Sequence, residues 1–236
     1  MVNPETQSKA EYWEKHYTQR HREIDSVGLA KSLDYSNERV QFQTYSHMLE
    51  GAGVLTNKNV LDAGCGWGNF SIILYGIGAI VTGIDIISGT VEELRKHRPF
   101  ITWQSVDISN EEQCATLGMY DCITATEVLQ YVDFAATINL LWPHVAPSGR
   151  LVGCVPNRDC PLAQSAMQRF AHLWEPVSQD SIASLAQTLP DVQEIMMKGL
   201  YFREDQHFLP YQASDWVTQL EGTPNRIVFV ILRGSE

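Results

Sequence analysis

From residue 59 to residue 155 the chain alternates short apolar runs with stretches of helical period. The runs Asn59–Asp62, Ala79–Asp85, Thr102–Ile108, Asp121–Ala125 and Arg150–Val155 read as strands. Between them, Phe70–Tyr75, Val91–His97, Asn110–Leu117 and Phe134–Trp142 read as helices, the last stopped by Pro143. Glu92 and Glu93 open the second of these and Arg95, Lys96 and His97 close it, as the helix dipole favours. Strand–helix alternation of this kind predicts a parallel sheet with helices on both faces. After Pro156 the pattern loosens to a helix at Ser181–Leu189, a sixth strand within Val192–Tyr201 and a last strand at Arg226–Leu232. That last run is apolar throughout, as a strand buried on both faces should be. Residues 5–50 are polar-rich and helical in texture, with an aromatic-bearing helix around Glu11–Tyr17, a turn at Asp34–Asn37 and a helix at Arg39–Leu49. The expectation is an α/β chain with a doubly wound, mostly parallel, seven-stranded sheet and an N-terminal helical lid. No linker or repeat divides it, so residues 1–236 read as one domain.

Charge narrows the partners. Seventeen Lys and Arg against 28 Asp and Glu leave a net charge of −11, which repels a phosphate backbone and argues against nucleic acid. The densest basic run, Arg95-Lys96-His97-Arg98, reads as a solvated helix face. The five cysteines are odd in number and form no C-x-x-C pair, so free thiols in a reducing cytoplasm are expected. Met1–Arg22 carries no apolar segment of the kind that directs export. The longest apolar stretch, Ile72–Val81, is interrupted by Gly76 and Gly78 and is too short to span a membrane.

The chemistry is concentrated where the first strand hands over to the first helix, in Asp62-Ala63-Gly64-Cys65-Gly66-Trp67-Gly68-Asn69. Glycines there let the backbone turn sharply and approach a ligand, and the helix that follows offers unpaired N–H groups. A glycine loop alone is also what a bare tight turn needs. However, Asp62, Asp85 and Asp107 fall at the ends of the first three predicted strands, and Asp85 lies 21 residues beyond Gly64. An acid at that distance is well placed for a ribose diol, and ligands of open parallel sheets bind outside the carboxyl ends of the strands. The ligand is therefore read as a nucleoside. The spacing is G-x-G-x-G, with Asn69 where a dinucleotide fingerprint has its third glycine. An acid two residues before Gly64 suits an ammonium and a sulfonium better than a pyrophosphate.

Asp62–Gly68, Val81–Asp85, Asp107, Thr126–Val132 and Pro147–Leu151 together resemble the motifs of class I S-adenosylmethionine-dependent methyltransferases. Within that class, Asn37-Glu38-Arg39, Gly78–Asp85, Asn157-Arg158 and His172-Leu173-Trp174-Glu175 are similar to the ubiquinone-biosynthesis O-methyltransferases. Gln130-Tyr131 departs from that group, which has an acid and a histidine there. The resemblance implies a Rossmann-like fold: N-terminal helices or lid over 1–50, a cofactor-binding core over 51–155, and a substrate cap with C-terminal strands over 156–236. It implies S-adenosylmethionine as cofactor; the sequence itself shows no metal-ligand spacing, so no metal ligand is assigned. Asp85 would take the ribose, Asp107 the adenine amino group, and Ile86 and Ile108 the same nucleoside. The backbone of Gly64, Cys65 and Gly66 and the carbonyls around Thr126 would hold the methionine part, Arg39 its carboxylate, and Asp62 the loop or the ammonium. Arg39 also reads as a surface helix charge, and Trp13, Tyr12 and Tyr17 as either an aromatic lid or a buried helix face. The expected reaction is methylation of a small-molecule hydroxyl, with methylation of an amine as the alternative. His172 is the first candidate for general base, or else a structural histidine, and His207 the second. A nicotinamide-dependent oxidoreductase is the competing class, disfavoured by Asn69 and Asp62.

Overall fold

The computed structural model describes residues 11–15, 35–161, 163–164, 167, 174–201 and 212–235, with the side chains of 35–42 outside that description. Its elements are α1 (Tyr35–Ala52), β1 (Asn59–Ala63), α2 (Asn69–Gly76), β2 (Ile80–Asp85), α3 (Ser88–His97), β3 (Thr102–Ser105), α4 (Glu111–Cys114) and β4 (Tyr120–Thr126). There follow α5 (Phe134–Leu141), β5 (Val145–Pro156), α6 (Gln179–Thr188), β6 (Val192–Tyr201), β7 (Gln212–Ala213) and β8 (Arg226–Arg233). Residues 11–15 form a further helical segment.

The strands make one sheet in the order β3-β2-β1-β4-β5-β8-β6-β7. β1 to β5 run parallel, and β8 lies antiparallel between β5 and β6. The sequence pattern predicts seven strands; the eighth, β7, is a two-residue pairing on the edge of β6. Period-two alternation along the strands builds a core on each face. Leu61, Ile123, Leu151, Ile227 and Phe229 pack with Ile138 and Leu141 of α5 and with Ile182 and Leu185 of α6. Their neighbours Val60, Cys122, Val152, Val228 and Val230 pack with Met48 of α1, Leu74 of α2 and Leu94 of α3. A strand apolar on both sides thus serves two layers at once.

Local chemistry sets the helix starts. Asn110, Asp133 and Ser178 accept hydrogen bonds from Gln113, Ala136 and Ser181 N–H groups as N-caps of α4, α5 and α6. Three expectations shift. Tyr35–Asn37 belongs to α1 instead of a turn, and α1 as a whole docks on β5 and β8. Strand β3 ends at Ser105, so Asp107 sits in the loop beyond it. Strand β5 begins at Val145 and reaches Arg150 through an irregular step in which Ser148 takes a left-handed φ of 60°. Among the described residues no helix is long and apolar enough to cross a membrane.

Candidate active site

The sheet order reverses between β1 and β4, whose neighbours β2 and β5 lead in opposite directions. A crevice opens at such a switch point, outside the carboxyl ends of the strands, and the glycine loop is the connection that leaves β1 there. Gly64, Gly66 and Gly68 all adopt left-handed φ values of 70°, 52° and 70°. A side chain other than glycine would be strained at each. Val128, just after β4, closes on Gly64 so tightly that a Cβ there would lie 2.4 Å from Val128 Cγ2.

Two carboxylates hold the loop. Asp85, 8% exposed, accepts hydrogen bonds from the N–H groups of Gly66 at 2.9 Å and Ile87 at 3.0 Å. Asp62, 1% exposed, accepts from the hydroxyls of Ser71 at 2.5 Å and Thr124 at 3.0 Å. Burial raises Asp62 to about 6 against the pull of those two hydroxyls, and the charge of Asp85 adds to the rise. Burial raises Asp85 as well, against its backbone hydrogen bonds. The Cys65 thiol is pushed well above its ordinary value by burial and then by Asp62 and Asp85, which disfavours the thiolate form. Asp107 accepts on Oδ1 from the N–H and the hydroxyl of Ser109, at 2.8 and 2.6 Å. Ile108 is buried and Ile86 half-buried beside these acids.

The end of β4 supplies the other wall. Glu127 has a left-handed φ of 54°, uncommon for a non-glycine residue. Its N–H donates to the Cys154 carbonyl at 2.9 Å, and its own carbonyl accepts from Gln130 Nε2 at 2.8 Å. Arg226 Nε donates to its carboxylate at 2.5 Å. Burial, Asp62 and Glu127 push the Tyr45 phenol up, and burial with Glu127 pushes Tyr131 to about 12. The Tyr45 ring stacks on Phe70 at 4.7 Å, and the Trp13 ring meets Tyr131 edge-on at 4.6 Å. The helical segment 11–15 therefore reaches the end of β4. Thr126 Oγ1 and Gln130 Oε1 are buried with no hydrogen-bond partner among the described residues.

Of the residues singled out from sequence, the fold gathers Asp62, Gly64, Cys65, Gly66, Asp85, Ile86, Asp107, Ile108 and Thr126 at one end of the sheet. Arg39 lies in α1 with its side chain outside the described residues, and Tyr17, His172 and His207 lie outside them altogether. Tyr45 and Arg226 were not apparent from sequence. Arg226 stands at the start of an apolar strand, and nothing local signals that β8 lies beside β5 and turns this side chain toward Glu127. Among the described residues no three His, Cys, Asp or Glu side chains cluster to hold a metal.

A family model described as a methyltransferase domain matches residues 37–223. The chain belongs to this family, in its class I, S-adenosylmethionine-dependent form, and the competing oxidoreductase reading falls. It is 35% identical over 105 residues to the ubiquinone biosynthesis O-methyltransferase of Pasteurella multocida (strain Pm70), covering 39% of this chain and 43% of that protein. The chain thus spans less than half the length of the curated relatives it first matches. Nodulation protein S of Sinorhizobium fredii is 28% identical over 164 residues, 66% of this chain and 70% of that one. The fold is shared with the N-methyltransferase NodS from Bradyrhizobium japonicum, solved with S-adenosyl-L-homocysteine. The TM-score is 0.59 at 19% identity, over 93% of this chain and 98% of that one.

Proposed function

We propose that the chain methylates a small-molecule hydroxyl, binding S-adenosylmethionine in the crevice between the glycine loop and the end of β4. The observation that carries this reading is the pair of buried acids, Asp62 and Asp85, beneath three left-handed glycines. Their mutual repulsion favours a cation in the crevice. The residues present fit the cofactor: the side-chain-free, left-handed backbone of Gly64 and Gly66 for its amino-acid part, an unpartnered Thr126 hydroxyl, and Asp107 Oδ2 free of hydrogen bonds among the described residues.

When bound, the cofactor supplies an electrophilic methyl group on a positively charged sulfur, so the leaving group is already activated. The chain's own tasks are alignment and exclusion of water. Asp85 orients the ribose and braces Gly66, Asp107 takes the adenine amino group, Ile86 and Ile108 flank the base, and Arg39 pairs with the carboxylate. Cys65 contributes its backbone to the loop. Segment 11–15, with Trp13 on Tyr131, serves as part of the lid. His172, in the cap, takes the acceptor's proton. The acceptor is a small molecule and not nucleic acid, and the protein works in the cytoplasm.

Calorimetry with S-adenosyl-L-homocysteine tests the cofactor site. Asp85→Ala is expected to weaken binding by about 1.5–3 kcal/mol, the range for hydrogen bonds to charged groups. Unchanged affinity in a folded variant would displace the ribose from β2. An amine acceptor is the second reading. It is favoured by the larger share of both chains covered by nodulation protein S. Turnover of small amines but not small phenols would decide for it.

A further inference from the structure

The glycine loop is held from behind by residues outside every cofactor motif. Trp103, in the edge strand β3, is 3% exposed. Its ring lies across the back of the loop, where a Cβ on Gly68 would come within 2.5 Å of Trp103 Cη2 and one on Gly83 within 2.4 Å of Cζ3. Gly83 has no left-handed φ, so the indole, not the backbone, explains its missing side chain. The indole is itself tied down: Nε1 donates to the Arg98 carbonyl at 2.9 Å, and Arg95 Nε donates to the Trp103 carbonyl at 3.0 Å. Arg98 then reaches back, its Nη1 donating to the Trp67 carbonyl inside the loop at 2.5 Å. The basic end of α3 is therefore not simply a solvated face, since two of its arginines brace β3 and the loop.

We propose that Trp103 and Arg98 form a latch that holds the glycine loop in its ligand-ready shape, making them positioning residues for the cofactor. This rests on the reading that the loop binds S-adenosylmethionine. Three glycines in left-handed geometry lose much conformational freedom on ordering. A loop ordered before the ligand arrives spares binding that loss. The indole restricts the loop sterically, and the guanidinium fixes its tip at Trp67.

Hydrogen exchange of the ligand-free protein tests the latch without the cofactor. Arg98→Met keeps the aliphatic stem and removes the donors. Amides of residues 62–70 are expected to exchange about three- to tenfold faster, the scale of one net hydrogen bond, while those of β8 keep the wild-type rate. Affinity for S-adenosyl-L-homocysteine should fall by a similar factor, and Arg98→Lys should restore part of both effects. The steric half is read from Gly83→Ala, which should weaken affinity in the wild-type background and much less in a Trp103→Leu background. Wild-type exchange over 62–70 in folded Arg98→Met overturns the latch. A wild-type chain that binds no S-adenosyl-L-homocysteine overturns the cofactor reading instead, and the exchange rates still decide the latch.

Discussion

A carboxylate as buried as Asp62 ionises at the expense of the fold. Its folded pKa of about 6 lies above the ordinary value of 3.8, so between those pH values the folded state holds more protons than the unfolded one. This contribution to stability falls as pH rises through that window and is level above it. Asp85, also raised, adds a slope of the same sign. Asp62→Asn removes the Asp62 slope. Its stability relative to wild type should grow from pH 4 to pH 7, by on the order of 3 kcal/mol at most, as denaturant titrations at several pH values would show. An ammonium group, which S-adenosyl-L-homocysteine keeps although it lacks the cofactor's sulfonium, reverses the balance at Asp62 by favouring the ionised acid. Wild-type affinity for S-adenosyl-L-homocysteine should therefore rise with pH through about 6, and the asparagine variant should lose that rise; parallel binding profiles would remove Asp62 from the cofactor site. His172→Ala concerns the other substrate. It should lower kcat by at least about tenfold with a hydroxyl acceptor, the lower range of general-base effects being about a hundredfold. Cofactor affinity should stay near wild type. A full rate with the wild-type pH profile would make the residue structural.

At the scale of elements, each glycine has its own reason. Gly64, Gly66 and Gly68 carry left-handed backbone, whereas Gly153 of β5 makes room for a ring. Phe229 of β8 is its direct partner in the ladder, and a Cβ on Gly153 would lie 2.2 Å from Phe229 Cζ. Gly153→Ala should destabilise the fold by about 1–3 kcal/mol through overpacking. Phe229→Leu in the same chain should recover part of that loss. Additive losses in denaturant unfolding would mean that the ring has another place to go. The strand–helix alternation and the acids at the ends of β1 and β2 and just beyond β3 could be read in sequence because both depend on neighbours along the chain. The Gly153–Phe229 fit, the Arg226–Glu127 pair and the indole behind the loop could not, because each depends on a side-chain contact that only the assembled sheet creates. Pattern also misplaced the start of α1, where the helix begins at Tyr35, within the residues that read as a turn. The irregular entry to β5 escaped it too, since Pro147-Ser148-Gly149 reads as a turn although the strand runs through it.

For the whole molecule, the place of β8 matters most. It is the last strand in sequence among those described, yet it lies inside the sheet with β5 on one side and β6 on the other. On the ribosome, the β1–β5 half can pair and bury its helices while residues 226–233 are still within the exit tunnel. During that interval β5 and β6 each present an open, apolar edge, a template for pairing with another nascent chain. Insertion of β8 closes both edges in one late, long-range step, of the kind that slows folding. A released chain truncated after residue 220 should therefore recruit chaperones and remain sensitive to protease, and the full chain should not. Equal protease resistance at the two lengths would mean that the first half completes its sheet without β8. The strand that brings Arg226 to Glu127 is also the one that seals the sheet, so the nascent protein would complete this wall of its active site only when it ceases to be a hazard to its neighbours.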